Sequence, residues 1–343
     1  MESTVKRPVI LVSALVATLS AITYPAAAKP PSPPAGSTGT GQVFYPNPVA
    51  STGNQSLTDQ KDADYPALSS AYRVVSLTNL DGSGYLRGDW ANVVSSTGPL
   101  AYSPTNTFIY RRNDDRFEQV MAYYWVTEAQ KYIQSLGFGS RPLAINQESQ
   151  DVRLNQYGAD NAFYRDTKDL MRFGKGGVDD AEDADVILHE YGHAIQYAQV
   201  PGFGSSLGAG AIGEGFGDYW AATVTQTIAP SSDPACIADW DATSYTAKVP
   251  HCLRRIDTDL RYPDDLNGSI HHDGQIWSAA LWDIRGEVGS RTADTLILAA
   301  QFDFAPDTTM PAAASATVAA ALELYGAAVA EDVRTVFEEH GLL

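Results

Sequence analysis

The pentapeptide HEYGH at residues 189–193 constrains the fold of this chain more than any other feature. Histidines four residues apart lie one turn apart on the same face of an α-helix, so both can reach one metal ion only if this segment is helical. Apolar residues flank the motif at 186–188 and 194–195, which favours a buried helix over an exposed one carrying two surface histidines. The pattern therefore predicts a buried, metal-binding helix over residues 185–199.

The block GEGFGD at residues 213–218 offers the further groups that such a site needs. A catalytic zinc ion takes three protein ligands and keeps one position open for water. Glu214 is the predicted third ligand beside His189 and His193, and Asp218 is predicted to accept the second ring N–H of His189. Three small neighbours, at 213, 215 and 217, permit close backbone approach, which argues against a solvated acidic face.

The expected chemistry is hydrolysis with one catalytic Zn²⁺. Zinc lowers the pKa of a bound water, and Glu190, between the two histidines, is predicted to take the proton as general base. The hydroxide would attack a carbonyl, and Glu190 would then pass the proton to the leaving amine. This chemistry points to peptide bonds as the substrate.

The first 28 residues have the features of a secretory signal peptide. Lys6 and Arg7 form a basic start, Pro8 to Ile22 an apolar stretch, and residues 26–28 a run of small side chains suited to cleavage. The apolar stretch is short for a membrane span. We therefore expect a secreted, extracellular protein with no stable membrane insertion after removal of the signal.

Charge and cysteine content fit an exported protein. The chain has 343 residues and a formal net charge of −18, which disfavours nucleic acid and anionic membranes as partners and leaves a peptide or protein substrate. The two cysteines, Cys236 and Cys252, lack the CxxC spacing of a zinc site. In an oxidising compartment we expect them to form a disulfide bond.

The order of the elements predicts an α+β fold with two lobes. Residues 29–60 are rich in Pro, Gly and Ser and are predicted to form an arm or linker. Residues 61–200 form a β-rich N-terminal lobe that ends in the HEYGH helix, and residues 201–343 form a mainly helical C-terminal lobe. The active-site helix would then lie between the lobes, where clefts usually form.

The periodicity also predicts individual elements. A hairpin is expected from Tyr72–Thr78 and Tyr85–Ser95, joined by a turn at residues 81–84. A helix is expected over Arg116–Leu136, ended by Gly137. More strand-like sequence follows to Phe173. Further helices are predicted at 185–199, 214–227, 273–287, 291–302, 312–325 and 332–339.

Three segments, together with HEYGH, resemble the fungalysin family of gluzincin metallopeptidases, relatives of thermolysin. They are GAIGEGFGDYWA at 210–221, RFEQVMAYYWVTEAQKYIQSLGF at 116–138 and HHDGQIW at 271–277. The resemblance covers roughly residues 42–343. It implies a thermolysin-like fold and zinc endopeptidase activity.

The resemblance also implies roles for residues around the metal. Asn161 and Ala162 are similar to the cleft-edge strand that binds the substrate backbone, and Arg254 to an arginine that binds a substrate carbonyl. The alternative for Arg254 is an ion pair with Asp257 or Asp259, and it stays open.

A third implied role is that of an oxyanion donor. His271 is placed there by the motif spacing, with His272 as the competitor. The tyrosine expected soon after HExxH is missing from residues 201–204, so oxyanion binding would depend on that histidine. Val186 and Leu253 would line a pocket that prefers an apolar residue after the scissile bond, or would simply pack in the core.

A calcium ion is the second metal considered. The residues of the thermolysin double-calcium site are not matched, since Thr225 stands where a glutamate is wanted. An acidic segment still offers carboxylates, and a solvated acidic loop is the favoured interpretation of it. Its acidic members are Asp179, Asp180, Glu182, Asp183 and Asp185.

Two other functions remain open. One is a catalytically inactive protein that uses the gluzincin fold for binding or adhesion, although the retained Glu190 argues against it. The other is a zinc aminopeptidase, although no GxMEN-type segment for capturing a free N-terminus is present.

Overall fold

The computed structural model of the protein describes residues 36–95, 97–140 and 143–343. The predicted signal peptide lies outside these residues. The strands are β1 Ser37–Phe44, β2 Tyr72–Leu80, β3 Ala91–Val93, β4 Thr107–Phe108, β5 Gln150–Arg153, β6 Ala162–Arg165, β7 Leu170–Phe173, β8 Cys236–Ile237 and β9 Arg254–Arg255. The longer helices are α1 Pro48–Thr52, α2 Phe117–Leu136, α3 Ala184–Gln199, α4 Leu207–Ile228, α5 Ile270–Val288, α6 Ser290–Ala300, α7 Met310–Tyr325 and α8 Ala327–Glu339.

Strand β1 is the middle strand of the first sheet, with β2 antiparallel on one side and β4 parallel on the other. The prediction of an arm is therefore wrong for this segment. Val43 and Phe44 are completely buried. A Cβ on Gly41 would come within 2.7 Å of the Val120 side chain, so this glycine reflects close packing on α2 and not a flexible linker.

The second sheet has the strand order β3-β5-β7-β6, and its edge strand β6 is antiparallel to β7. The predicted hairpin is half right. Strand β2 forms, but it pairs with β1, and the predicted return strand contributes only β3 to the second sheet. After the turn at residues 81–84 the chain makes only an isolated antiparallel bridge back to β2, between Leu80 and Gly88, and then enters the second sheet at β3, which local periodicity does not reveal.

Helix α2 passes through the middle of the sheet-containing half. It is buried on nearly every side and packs on β1, β3 and α3. Gly137 ends it in the left-handed conformation and donates its backbone N–H to the last turn, as predicted. The helix thus joins the sheets to the helix that carries HEYGH.

Helix α4 packs against both α3 and α5, and these helices form the core of the helical half. The predicted α3 and α5 are confirmed, but α4 begins at Leu207, well before the predicted start at residue 214. Ser206 caps it by accepting the N–H of Ala209. The glycines that lower helix propensity in this segment are tolerated because they let the neighbouring helices approach closely.

The acidic segment at 179–185 is buried, so the prediction of a solvated acidic loop is wrong. Glu182 binds Arg112 and the indole N–H of Trp240. Asp183 caps α3 by accepting the N–H of Asp185, and it also accepts the backbone N–H of Trp240. These carboxylates hold the start of α3 in place.

The fold class is confirmed: a sheet-containing N-terminal part is followed by a helical C-terminal part. Helix α3 lies between them, in contact with α2, β6 and α4. Within the described part of the chain, no helix combines the length and apolar character that a bilayer span requires.

Candidate metal centre and cleft

Three predicted ligands meet where α3 crosses α4. His189, His193 and Glu214 each place one ligand atom within 4.8 Å of the other two. The Nε2 atom of His189 lies 3.3 Å from Oε2 of Glu214, and Nε2 of His193 lies 3.7 Å from Oε1. Two imidazoles and one carboxylate are the donor set of a catalytic zinc site.

The buried carboxylate of Asp218 orients the ring of His189. Its Nδ1 lies 2.8 Å from Oδ1 of Asp218, the contact predicted from the sequence. This hydrogen bond places the ring proton on Nδ1 and leaves Nε2 free to face the ligand group. The buried carboxylate of Asp218 also accepts Nε and Nη2 of Arg254, at 2.6 and 2.7 Å.

The alternative ion pairs of Arg254 are therefore wrong. Its guanidinium binds Asp218, whereas the neighbouring Arg255 binds Asp257 and Asp233. Arg254 lies on β9, which pairs with β8. The arginine supports the ligand set through Asp218 as well as lining a cavity beside it.

The pKa values of the two histidine ligands are shifted in opposite directions. Burial opposes the charge of His189, but hydrogen bonds to Asp218 and Glu214 outweigh it and raise the pKa to about 10. Burial lowers the pKa of His193 to about 4. Burial likewise acts against the charge of Glu214, yet His189 holds its pKa below the usual range. Without a metal ion, His189 is therefore protonated and paired with Glu214 and Asp218, and it would release its Nε2 proton on binding a metal ion.

The geometry of His189, His193 and Glu214 fits a zinc ion. Among the described residues, Oε2 of Glu214 is buried and accepts no hydrogen bond of full geometry; the ring nitrogens near it are Nε2 of His189 at 3.3 Å and Nε2 of His271 at 3.4 Å. A buried carboxylate oxygen without a partner is costly unless a cation or another donor meets it. The remaining side of the group opens to the cleft, as a catalytic site requires.

Glu190 lies on the same helix and faces the cleft. Burial raises the pKa of its carboxyl to about 7, while His189 acts in the opposite direction. Its Oε2 atom has no hydrogen-bond partner within the described segments. A carboxylate with a pKa near neutrality can both accept and return a proton.

The cleft in front of these residues has a volume of about 420 Å³. Asn161 and Ala162 line it at the start of β6, as predicted. Since β6 is an edge strand, its free side can pair with an extended peptide.

Only one of the two competing histidines reaches the cleft. His271 lines it, with Nε2 3.4 Å from Oε2 of Glu214. The Nδ1 atom of His272 lies 3.4 Å from Oδ1 of Asp273, and His272 is absent from the lining of the cleft. The geometry thus favours His271 over His272 as the candidate oxyanion donor.

Several cleft residues escaped the sequence reasoning. Tyr164 on β6 and Tyr197 on α3 lie with ring centroids 6.0 Å apart, and both line the cleft with Gln196 and Phe203. Tyr197 follows His193 by four residues, so helical spacing places it one turn further on the same face. The helical spacing therefore indicates Tyr197 as a cleft residue, although it lies before the segment 201–204 in which the resemblance would place a tyrosine.

A second, smaller cavity adjoins the cleft. Val186 and Leu253 line it, which is the placement implied by the resemblance. Nearby, Cys236 and Cys252 form the predicted disulfide bond. Through the pairing of β8 with β9, this bond fixes the strand that carries Arg254.

Comparison with known proteins identifies the family of this chain. The sequence model of the fungalysin metallopeptidase (M36) family matches residues 32–342. A solved structure of the precursor of protealysin, a metalloproteinase from Serratia proteamaculans, superposes with a TM-score of 0.52 at 18% identity, over 65% of this chain and 78% of that one. At that identity the likeness supports the fold alone. No curated protein sequence matches the chain. The family match spans nearly the whole chain, and the protein belongs to the fungalysin family of zinc metalloendopeptidases.

Proposed function

We propose that this peptidase binds zinc through His189, His193 and Glu214 and cleaves peptide bonds with Glu190 as general base. The observation that carries the proposal is the meeting of these four side chains at the wall of one open cleft. A zinc ion held there supplies Lewis acidity, which polarises the scissile carbonyl and acidifies the attacking water.

Glu190 would act as the general base and then as the general acid. Its buried carboxyl, with a pKa raised to about 7 by burial, would accept the proton of the attacking water and return it to the leaving amine. Asp218 and Arg254 act as positioning residues, because they hold the ring of His189. A role of Arg254 in contacting the substrate carbonyl stays a prediction.

The substrate would lie along β6 as an added antiparallel strand. The edge position of β6 supports this, with Asn161 and Ala162 binding the peptide backbone. His271 reaches over the ligand group from the start of α5, where it can donate a hydrogen bond to the developing oxyanion. The side chain next to the scissile bond would enter the cavity lined by Val186 and Leu253.

We also propose that the protein acts outside the cell. The signal-like residues 1–28 support export, and the disulfide between Cys236 and Cys252 is typical of an oxidising compartment. Calcium binding by the acidic segment stays a prediction, to be checked by elemental analysis together with zinc.

The test compares wild type with Glu190→Gln on internally quenched peptides blocked at the N-terminus. We expect the wild type to cleave them and the variant to lose about 10²–10⁴-fold in kcat, the usual contribution of a general base. Zinc content should be equal in both. Cleavage of only unblocked peptides would indicate an aminopeptidase, and zinc binding without turnover of any peptide a binding protein.

A further inference from the structure

The smaller cavity beside the cleft has an unusual lining. Its volume is about 100 Å³, and it opens at the candidate metal centre because it shares six residues with the cleft: Asn161, Ala162, His189, Glu190, Glu214 and His271. A side chain adjacent to the scissile bond of a substrate in the cleft can therefore enter it.

Apart from Tyr245 and Arg254, the residues that line only this cavity are of two kinds. One wall is apolar and consists of Val186, Ile237, Ala238 and Leu253. The other is acidic and consists of Asp180, Asp185 and Asp241. A purely apolar side chain would match the first wall and would leave the second without a partner.

Asp180 and Asp241 lie close to a third carboxylate, that of Asp160. Asp180 and Asp241 are 1% and 3% exposed, and each has a carboxylate oxygen within 4.8 Å of the other and of one from Asp160. Asp160 is already bound by the hydroxyl of Tyr245, and Asp180 accepts the N–H of Gly174. Among the described residues, Oδ1 of Asp241 has no hydrogen-bond partner.

The cavity supplies little positive charge of its own. Arg254 lines it, but Nε and Nη2 of its guanidinium bind Asp218. Burial raises the pKa of Asp180 to about 7, and burial followed by the charge of Asp180 raises the pKa of Asp241. Burial is the main cause of both raised values, and the charge of Arg254 acts in the opposite direction on Asp241 without outweighing it.

We propose that this cavity binds a lysine or arginine side chain flanking the scissile bond, with Asp241 and Asp180 receiving the positive charge. The proposal rests on the proposed peptidase function. The aliphatic stem would pack on Val186 and Leu253, as the stems of long basic side chains do when their charged ends meet carboxylates. A bare cation such as calcium could meet the carboxylates but would make no use of the apolar wall.

Matched peptides test the proposal. Blocked peptides that differ only at the residues flanking the cut carry lysine, glutamate or norleucine, an uncharged side chain of similar length, and mass spectrometry identifies the bond cleaved. We expect kcat/KM for the lysine peptide to exceed that for norleucine by at least about tenfold, the factor that one charge-assisted hydrogen bond contributes. Glutamate should be the poorest.

Substitutions in the cavity test whether its carboxylates cause the preference for lysine over norleucine. Asp241→Asn should abolish the ratio of lysine to norleucine while cleavage of the norleucine peptide continues, and Asp180→Asn serves if the first variant does not fold. The control is Asp332→Asn, an exposed carboxylate on α8 that changes net charge equally and should keep the ratio.

Three outcomes would overturn the proposal. One is equal or better cleavage of the norleucine peptide by the wild type. Another is a lysine preference that survives both variants. The third is calcium that raises the melting temperature of the wild type but not of Asp241→Asn, without any lysine preference. Failure to cleave any peptide would instead contradict the proposed peptidase function.

Discussion

At the scale of single residues, successive hydrogen bonds behind the ligand group hold His189 in place. Asp218 fixes the ring of His189, and Arg254 in turn fixes Asp218 with two donors. Both supporting side chains are largely buried. Supported in this way, His189 loses little conformational freedom when it binds a metal ion, which raises affinity.

His271 and His272 give a matched pair of variants at this scale. We expect His271→Ala to lower kcat by about 10²–10³-fold with KM little changed, since an oxyanion donor acts mainly in the transition state. His272→Ala, which removes a contact to Asp273, should keep nearly full kcat. Steady-state kinetics on one peptide decide the matter, and a larger loss in His272→Ala would reverse the assignment.

The sequence allowed the ligand residues to be predicted, and the motif spacing favoured His271 as the oxyanion donor without excluding His272. His189, His193 and Glu214 follow from helical spacing and donor chemistry. Two adjacent positions at the start of a helix point in different directions, and only the packing of α5 on α4 shows which one faces the cleft. The partner of Arg254 was missed because Asp218 is distant in sequence.

At the scale of helices, glycines set how closely the metal-binding helices approach. A Cβ on Gly217 of α4 would lie 2.7 Å from Nδ1 of His189 on α3, and one on Gly215 would lie 2.3 Å from the carbonyl oxygen of Gly274 on α5. Such distances leave no room for any side chain. The crossing that brings Glu214 to the histidines therefore depends on these glycines.

Gly217→Ala tests this packing. The added methyl group should displace the ring of His189 and weaken zinc binding by about 10–100-fold, the usual effect of disturbing the support of a ligand. The control Gly286→Ala, where a Cβ would meet nothing within 4 Å, should leave zinc binding intact. Competition with a chromogenic chelator measures both, and unchanged affinity in Gly217→Ala would contradict the role of the glycine.

The disulfide bond gives the second prediction for an element. Replacing Cys236 and Cys252 by serine opens a loop with a sequence separation of 16 and should lower the free energy of unfolding by about 3 kcal/mol. Urea unfolding measures the loss. An unchanged unfolding midpoint would mean that the bond does not constrain the β8–β9 ribbon.

Two elements with glycine-rich sequences, β1 and the start of α4, differ from the prediction for the same physical reason. Strand β1 was interpreted as a linker and the first turns of α4 as loop, because glycine weakens both helix and strand in isolation. In the folded chain the glycines admit α2 or α5 at short distance. Contacts between elements distant in sequence outweigh the local cost, and a single sequence does not display them.

At the scale of the whole molecule, the net charge of −18 is not confined to the surface. Asp179, Asp180, Glu182, Asp183 and Asp185 are all buried beneath the start of α3. Burial followed by the charge of Glu182 raises the pKa of Asp179 to about 8. Carboxylates of this kind make the stability of the fold depend on pH in the neutral range.

The sign of this dependence follows from the raised pKa. Between the unfolded value of about 3.9 and the folded value, the folded state holds an extra proton. The free energy of unfolding should therefore fall as pH rises from 5 to about 8, by up to about 1.4 kcal/mol per unit for one such group.

Asp179→Asn removes this contribution. Its advantage in melting temperature over the wild type should grow as pH rises across this window, while the exposed control Asp332→Asn shows no such trend. An advantage that is constant or shrinks with rising pH would contradict the burial of an uncompensated charge at Asp179.

The most direct test of the proposed metal centre is a crystal structure with anomalous scattering recorded on both sides of the zinc absorption edge. We expect one strong zinc peak bonded to Nε2 of His189, Nε2 of His193 and a carboxylate oxygen of Glu214, at about 2.0–2.2 Å, with Glu190 facing it without bonding. A zinc-loaded, active crystal with no peak between these three side chains, or with its zinc at Asp160, Asp180 and Asp241, would contradict it.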